Sequence, residues 1–283
     1  MRILFPYPRQ FGYFPDIFEY VTLLRERGLE AYYVGINQGH SDSDQPPFAI
    51  HFPHKDVSRK DFVRFVRQQA NNIKPDIVHA FHFRGCGILP LLARNSVNKW
   101  IVDVRTIHVE TQDLKITSDF WLRDRLTWLE TQTYNHIFAL TKKIQQKLTP
   151  SLRPVEIIPL GASFSRLNMA DKSLVRRDIR NQLDIPAGVP VLLYAGSLSP
   201  TRRLDRILAG YALILEQFPN AKFVIVGGEL GYDPHTDPLI MPLMQLAEKL
   251  EISANVLFTG RVPYADIPNY FAMADIGISY MPL

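Results

Sequence analysis

The stretch YAGSLSPTRRLDRIL, residues 194–208, joins the end of a β-rich run to the start of a segment with helical periodicity. The apolar run VLLYA ends at Ala195, Gly196 permits a tight backbone turn, and Ser199 and Pro200 supply an N-cap and a first helical position. Beyond them Leu204, Ile207, Leu208, Tyr211 and Leu215 fall on one face of a 3.6-residue period. A strand feeding directly into a helix through a glycine turn is the building unit of a doubly wound α/β sheet, whose ligands bind at the carboxyl ends of the strands. The helix N-terminal N–H groups, with Arg202 and Arg203 in the first turn, make a physically reasonable diphosphate site. Helix dipoles favour acidic residues there, so an external anion would relieve the two arginines. A solvated basic turn is the competing reading.

Working outward, the same alternation fills the chain. β-rich runs recur at RILF, AYYVGI, DIVHAF, WIVDV, HIFAL and VEIIP, with segments between them that suit amphipathic helices, such as Ile17 to Arg27 and Arg59 to Ile73. A second series follows Pro190 with VLLYAG, KFVIVGG, NVLFTG and DIGISY. The division expected is an N-terminal Rossmann-like domain over 1–161, a connection with one helix over 162–189, and a second, incomplete Rossmann-like domain over 190–283. The run from Ile276 to Tyr280 reads as a central strand with nothing following to cover it, so the expectation is a chain that stops inside its own second domain.

Composition narrows the function classes. With 283 residues, 46% hydrophobic and 21% charged, the chain can bury two cores, and its formal charge of +4 suits a phosphate-bearing ligand or an anionic surface more than nucleic acid, for which no basic-aromatic motif is present. Cys86 is the only cysteine, which excludes an internal disulfide and points to a reducing cytoplasm. No run approaches the ~20 apolar residues of a membrane span, and the proline-rich start does not read as a signal peptide. The polar DSD at 42–44, the HAFH at 79–82 and the GCG at 85–87 each lack the partners that a metal or dinucleotide site needs, and no nucleophile elbow occurs. The segment RKDFVRFVRQQ, 59–69, places Phe62, Phe65 and Val66 beside Lys60, Arg64 and Arg67, which suits either a peripheral membrane contact or a helix packed on the sheet.

The order VEIIPLGASFSRL, VLLYAGSLSPTRRLDRIL, AKFVIVGGE and NVLFTGRVPYADIPNYFAMADIGIS resembles the family 4 glycosyltransferases, or glycosyl transferase group 1, of GT-B fold. The resemblance implies an α/β architecture of two Rossmann-like domains facing a cleft, and retaining, metal-independent sugar transfer from a nucleotide-sugar donor, a substrate rather than a cofactor, to a glycan or lipid-linked acceptor in cell-surface polysaccharide or glycolipid synthesis. It assigns the donor to Gly196, Ser197, Arg202, Arg203, Gly227, Gly228, Gly260, Arg261 and Val262. Ser197 stands where the family usually has an arginine, and Arg202 where it has a second cation.

In the first half, IVDVRTIHVE resembles the DVRDLWPE of a bacterial polysaccharide branch, which implies catalytic roles for Arg105, His108 and Glu110, although Thr106 replaces the Asp and His108 the Trp of that pattern. The loop RQFGYFPD takes the place of the family's acceptor loop, with Gly12 and Tyr13 the implied contacts and Phe11 and Phe14 offering sugar-stacking surface or ordinary core. The family's later pair of glutamates is absent from this chain, which implies that these 283 residues alone are an inactive fragment of the enzyme, with a non-catalytic sugar-nucleotide-binding or glycan-binding remnant as an alternative and a nucleotide-sugar epimerase on the same plan as another.

Overall fold

The computed structural model describes all residues except 38–45, 54–55, 93–96, 107–118, 162–170, 230–231 and 281–283, and the backbone but not the side chains of 119–121. The chain divides into two compact units, Met1–Ala162 and Ser163–Leu283.

In the first unit β1 (Arg2–Pro6), α1 (Pro15–Glu26), β2 (Glu30–Ile36), β3 (Ala49–Phe52), α2 (Arg59–Ile73), β4 (Ile77–Phe81), α3 (Leu89–Leu92), β5 (Lys99–Val104), α4 (Asp119–Thr131), β6 (His136–Ala139), α5 (Lys142–Leu148) and β7 (Val155–Ile157) follow in turn. The strands form one sheet in the order β3-β2-β1-β4-β5-β6-β7. Every pairing is parallel. The direction of winding reverses between β1 and β4, which puts the loops after those strands at the place where doubly wound sheets bind ligands. Alternate residues of β1 feed opposite faces: Leu4 joins the core with Val66 and Val102, whereas Ile3 and Phe5 join the core with Ile17 and Val21.

The helix α2 packs its apolar face on the sheet. Its N-cap is Ser58, whose side chain accepts from the Asp61 N–H at 3.2 Å. Phe62 and Val66 are fully buried against the sheet, and Phe65 meets Phe52 edge-on at 5.3 Å. The apolar residues expected to face a lipid surface are therefore spent on the core, and only the charged face with Lys60, Arg64 and Arg67 is exposed. No helix of the described residues is long and apolar enough to cross a membrane.

The second unit contains α6 (Lys172–Gln182), β8 (Val191–Ala195), a 3-10 turn (Pro200–Arg202), α7 (Leu204–Gln217), β9 (Lys222–Val226), α8 (Met241–Lys249), β10 (Val256–Gly260), α9 (Ile267–Met273) and β11 (Ile276–Gly277). Its sheet, parallel throughout, has the order β10-β9-β8-β11, so its winding reverses between β8 and β11. Leu192, Tyr194, Phe223 and Ile225 pack on α7 and α8, and Leu193, Val224 and Val226 pack with Met273 of α9 on the opposite face. The helix expected within the connection, α6, packs on α9 as part of this unit. Among the described residues β11 is an edge strand rather than a central one: it pairs with β8 alone, and Ile276 is 58% exposed.

Candidate functional site

The expected donor residues converge on the carboxyl ends of β8, β9 and β10, where three glycine turns interlock. The Gly196 N–H donates to the Val226 carbonyl at 3.0 Å, and the Gly227 N–H donates to the Gly260 carbonyl at 2.9 Å. A Cβ placed on Gly227 would lie 2.1 Å from the Gly196 carbonyl oxygen, and one on Gly260 would lie 3.0 Å from Cγ of Pro234. At Gly227 the backbones thus touch directly, which excludes a side chain, and Gly260 turns tightly with φ 71° beneath the Pro234 ring. The result is a continuous rim of main chain at the end of the sheet, beside the winding reversal at β8. Tyr194 closes it from within, its hydroxyl donating to the Ser197 carbonyl at 2.6 Å. Arg261 follows the rim on the β10 side, and Val262 packs into the core beneath.

The arginine turn differs from the sequence expectation. Pro200–Arg202 is a 3-10 turn, Arg203 adopts a left-handed conformation with φ 49°, and the α-helix begins only at Leu204. Ser199 makes no side-chain cap bond, and its hydroxyl pairs with that of Thr201 at 2.7 Å. Arg203 grips Asp205 through two contacts, Nε to Oδ1 at 3.1 Å and Nη2 to Oδ2 at 3.0 Å. The hydrogen bond from Arg203 holds the Asp205 carboxyl below its ordinary range. The conflict between two cations and a helix dipole is thus answered inside the chain, by an acidic residue in the first turn of α7 and by a turn that keeps Arg202 out of the helix.

A residue the sequence did not flag underlies the rim. Asp237 is 1% exposed, and its carboxylate accepts from the Glu229 N–H at 2.6 Å and the Leu239 N–H at 2.7 Å. A Cβ on Gly228 would lie 2.5 Å from its Oδ2. In the sequence it sits inside DPHTDP, which reads only as a polar turn.

In the first unit only some of the expected residues are described. His108 and Glu110 lie outside the described residues. Arg105 is buried at the end of β5, donating from Nη2 to Asp103 at 2.8 Å and to the Tyr20 hydroxyl at 2.9 Å, with Asp16 at 3.8 Å. Burial opposes its charge, but Asp103, Tyr20 and Asp16 together outweigh burial and raise its pKa. Burial also raises the Asp16 carboxyl, against the pull of Arg105. Nε2 of His79 stands 3.4 Å from Asp103, with the ring stacked on Phe81. The Arg9 guanidinium lies 5.2 Å from the ring centre of Tyr13, next to the turn at Gly12. Phe11 is core, packed against Phe18, Tyr33 and Phe48, so it offers no sugar-stacking face.

After β4, Glu130 of α4 accepts from Nε2 of His82 at 2.8 Å and from the Gly85 N–H at 2.7 Å. Among the described residues His82, Cys86 and Glu130 place ligand-type atoms within 4.8 Å of one another. Burial pushes the Cys86 thiol up to about 12, and both Glu130 oxygens are already occupied, so the arrangement works as a clamp of α4 on the loop. Burial alone would raise the Glu130 carboxyl, but the His82 and Gly85 bonds outweigh it and lower it. Glu130→Ala should cost about 2 kcal/mol by leaving the Gly85 N–H and His82 unpartnered. A depressed carboxyl stabilises above its unfolded value and loses that contribution as the pH falls through the folded one, so the cost should fade below about pH 4. All 3 tryptophans, at 100, 121 and 128, lie in this unit, and fluorescence-detected urea unfolding reads it without interference from the second.

In comparison with known proteins, residues 175–280 match the family described as "Glycosyl transferases group 1". YtcC of Bacillus subtilis, named as a glycosyltransferase, is 36% identical over 104 residues, 37% of this chain and 25% of its own length. The alpha-monoglucosyldiacylglycerol synthase of Streptococcus pneumoniae is 28% identical over 126 residues, 44% of this chain and 26% of its own length. The chain thus aligns to about a quarter of the length of these curated relatives. Among solved structures, the sucrose-phosphate synthase of Thermosynechococcus elongatus superposes with a TM-score of 0.74 at 15% identity, over 100% of this chain and 77% of that one. Anabaena HepE, solved in complex with UDP and glucose, superposes with a TM-score of 0.74 at 16% identity, over 99% of this chain and 74% of that one. At such identities the likeness concerns the fold, which is that of the GT-B glycosyltransferases. Among the described residues of the second unit, the glycine rim of β8, β9 and β10 has the geometry of a ligand site.

Proposed function

We propose that the protein is a retaining, metal-independent glycosyltransferase that moves a sugar from a nucleotide-sugar donor to a glycan or lipid-linked acceptor in cell-surface polysaccharide or glycolipid synthesis. The observation that carries this reading is the interlocked rim of Gly196, Gly227 and Gly260 at the winding reversal of the second unit. The glycine turns and the 3-10 turn ending at Arg202 border a place where a diphosphate can approach the backbone closely. Support for the donor class comes from HepE, solved with UDP and glucose, and support for a lipid acceptor from the diacylglycerol named in the pneumococcal relative.

The chemistry asks for a donor held still while negative charge grows on the departing diphosphate. Arg202, at the end of the 3-10 turn beside the rim, is the cation placed to meet that charge. Arg202→Ala should weaken nucleoside diphosphate binding by about 1.5–3 kcal/mol, measured by calorimetry, and unchanged affinity would remove Arg202 from the site.

A structural neighbour is a UDP-GlcNAc 2-epimerase bound to UDP-GlcNAc, with a TM-score of 0.63, so an epimerase is the second reading. The native full-length protein incubated with a panel of sugar nucleotides, with and without diacylglycerol or a lipid-linked glycan, separates the two. Acceptor-dependent release of nucleotide, unaffected by EDTA and giving a product of retained anomeric configuration, is the expected outcome. Interconversion of the sugar nucleotide without acceptor would favour the epimerase.

A further inference from the structure

From the geometry of the β9–α8 loop we infer that Asp237 is the positioning residue of the donor site, setting the Gly227–Glu229 turn against which a nucleoside diphosphate is recognised; this rests on the reading of the rim as a donor site. The carboxylate of Asp237 lies beneath the turn, 1% exposed, with one oxygen on the Glu229 N–H at 2.6 Å and the other on the Leu239 N–H at 2.7 Å. Two charge-assisted bonds thus tie the two ends of one loop to a single side chain. The main chain of Asp237 adds to the tie, its carbonyl accepting from the Ile240 N–H at 3.1 Å and the Met241 N–H at 3.0 Å where α8 begins.

Gly228 is the counterpart of this side chain. It has no left-handed backbone that would call for glycine, yet a Cβ there would lie 2.5 Å from Oδ2 of Asp237 and 3.3 Å from the Arg261 nitrogen. The need for glycine at 228 is therefore imposed by the carboxylate beneath it and not by the turn itself. The same loop carries Pro234 against Gly260, so its placement sets the β9 and β10 sections of the rim together. Without the carboxylate, the Glu229 N–H loses its acceptor and the turn is free to move relative to Gly196 and Gly260. Preorganised main chain is what lets a diphosphate bind without first ordering its site, so the loss should fall on affinity.

The test is a double-mutant cycle on the full chain with UDP, GDP and ADP as probes in calorimetry. Asp237→Ser and Gly228→Ala should each weaken binding of the nucleotide that wild type prefers by about tenfold or more, and the double variant should be no weaker than either, because the serine makes room for the new methyl group. Tyr211→Phe is the control for a purely structural effect. It removes hydroxyl bonds of 2.8 Å to the Ala221 carbonyl and 3.2 Å to the Asn255 carbonyl at the opposite ends of β9 and β10, and should lower thermal stability with affinity unchanged. Additive losses in the cycle, wild-type affinity in Asp237→Ser, or an equal loss in Tyr211→Phe would overturn the inference while leaving the donor site standing. A wild-type chain that binds none of the three nucleotides would overturn the donor-site reading and this inference with it.

Discussion

Gly227→Ala should abolish nucleotide binding and destabilise the second unit by about 3 kcal/mol or more. The new Cβ would lie 2.1 Å from the Gly196 carbonyl oxygen and 3.3 Å from its carbon, and both are backbone atoms that cannot rotate aside. Gly227 also has φ 147°, a conformation that a side chain strains on its own account. Relief requires the turns to separate, which breaks the bond of 2.9 Å from the Gly227 N–H to Gly260 and the bond of 3.0 Å from the Gly196 N–H to Val226. Gly210→Ala is the matched control. Gly210 sits in α7 with nothing within 4 Å of its would-be Cβ, so alanine there should stabilise by about 0.5–1 kcal/mol and leave binding intact. Circular dichroism during urea unfolding and calorimetry with nucleotides read the two effects; an alanine at 227 that folds and binds like wild type would mean the turns do not interlock.

Asp275→Ala should cost the second unit about 3 kcal/mol at neutral pH. Its carboxylate meets Arg176 at 2.6 Å and Arg180 at 2.9 Å and accepts the Val191 N–H at 2.8 Å. One side chain therefore ties α6, the first residue of β8 and the entry to β11. Arg180 is 4% exposed, and without Asp275 its charge stays buried with only the carbonyls of Met273 and Val189 for company. Burial alone would raise the Asp275 carboxyl, but the Val191 N–H and the two arginines prevail and lower it. Stability from a depressed carboxyl is fully present above the unfolded value, ~3.9, and is lost as pH falls through the folded one. The gap between wild type and Asp275→Ala should hold above about pH 5 and close progressively below about pH 4. A gap that stays constant down to pH 2 would show that the ionised staple contributes nothing.

How much of this could be read from the residues depended on whether an interaction is local. VLLYA, KFVIV and NVLFTG announce β8, β9 and β10 because both faces of a parallel strand are buried, which yields continuous apolar runs. The short strand β3, AIHF, went unseen between Pro47 and Pro53, since four half-buried residues at a sheet edge carry neither a long run nor a clear alternation. The Ser-Pro signature placed a helix start at Pro200, but the chain spends those residues on a 3-10 turn and begins α7 after the left-handed Arg203. Its amphipathic face was legible because the period survives a shifted start. The order of the glycines pointed to the rim, yet their interlock could not be read, because Gly196 meets Gly227 only once β8 and β9 are paired in register. Asp237 and Glu130 escaped for the same reason, being polar residues whose partners lie across the fold.

The central claim is that a nucleoside diphosphate sits on the glycine rim of the second unit. Two-dimensional amide NMR of the isotopically labelled full chain during titration with UDP, GDP or ADP tests it most directly. The account predicts that, for at least one nucleotide, the amides of Gly196–Ser199, Thr201, Arg202, Gly227–Glu229 and Gly260–Val262 shift together along one saturable curve, while those around Tyr211 at the far end of the strands stay in place. Shifts confined to the first unit, or saturable binding that leaves the rim amides unmoved, would contradict it.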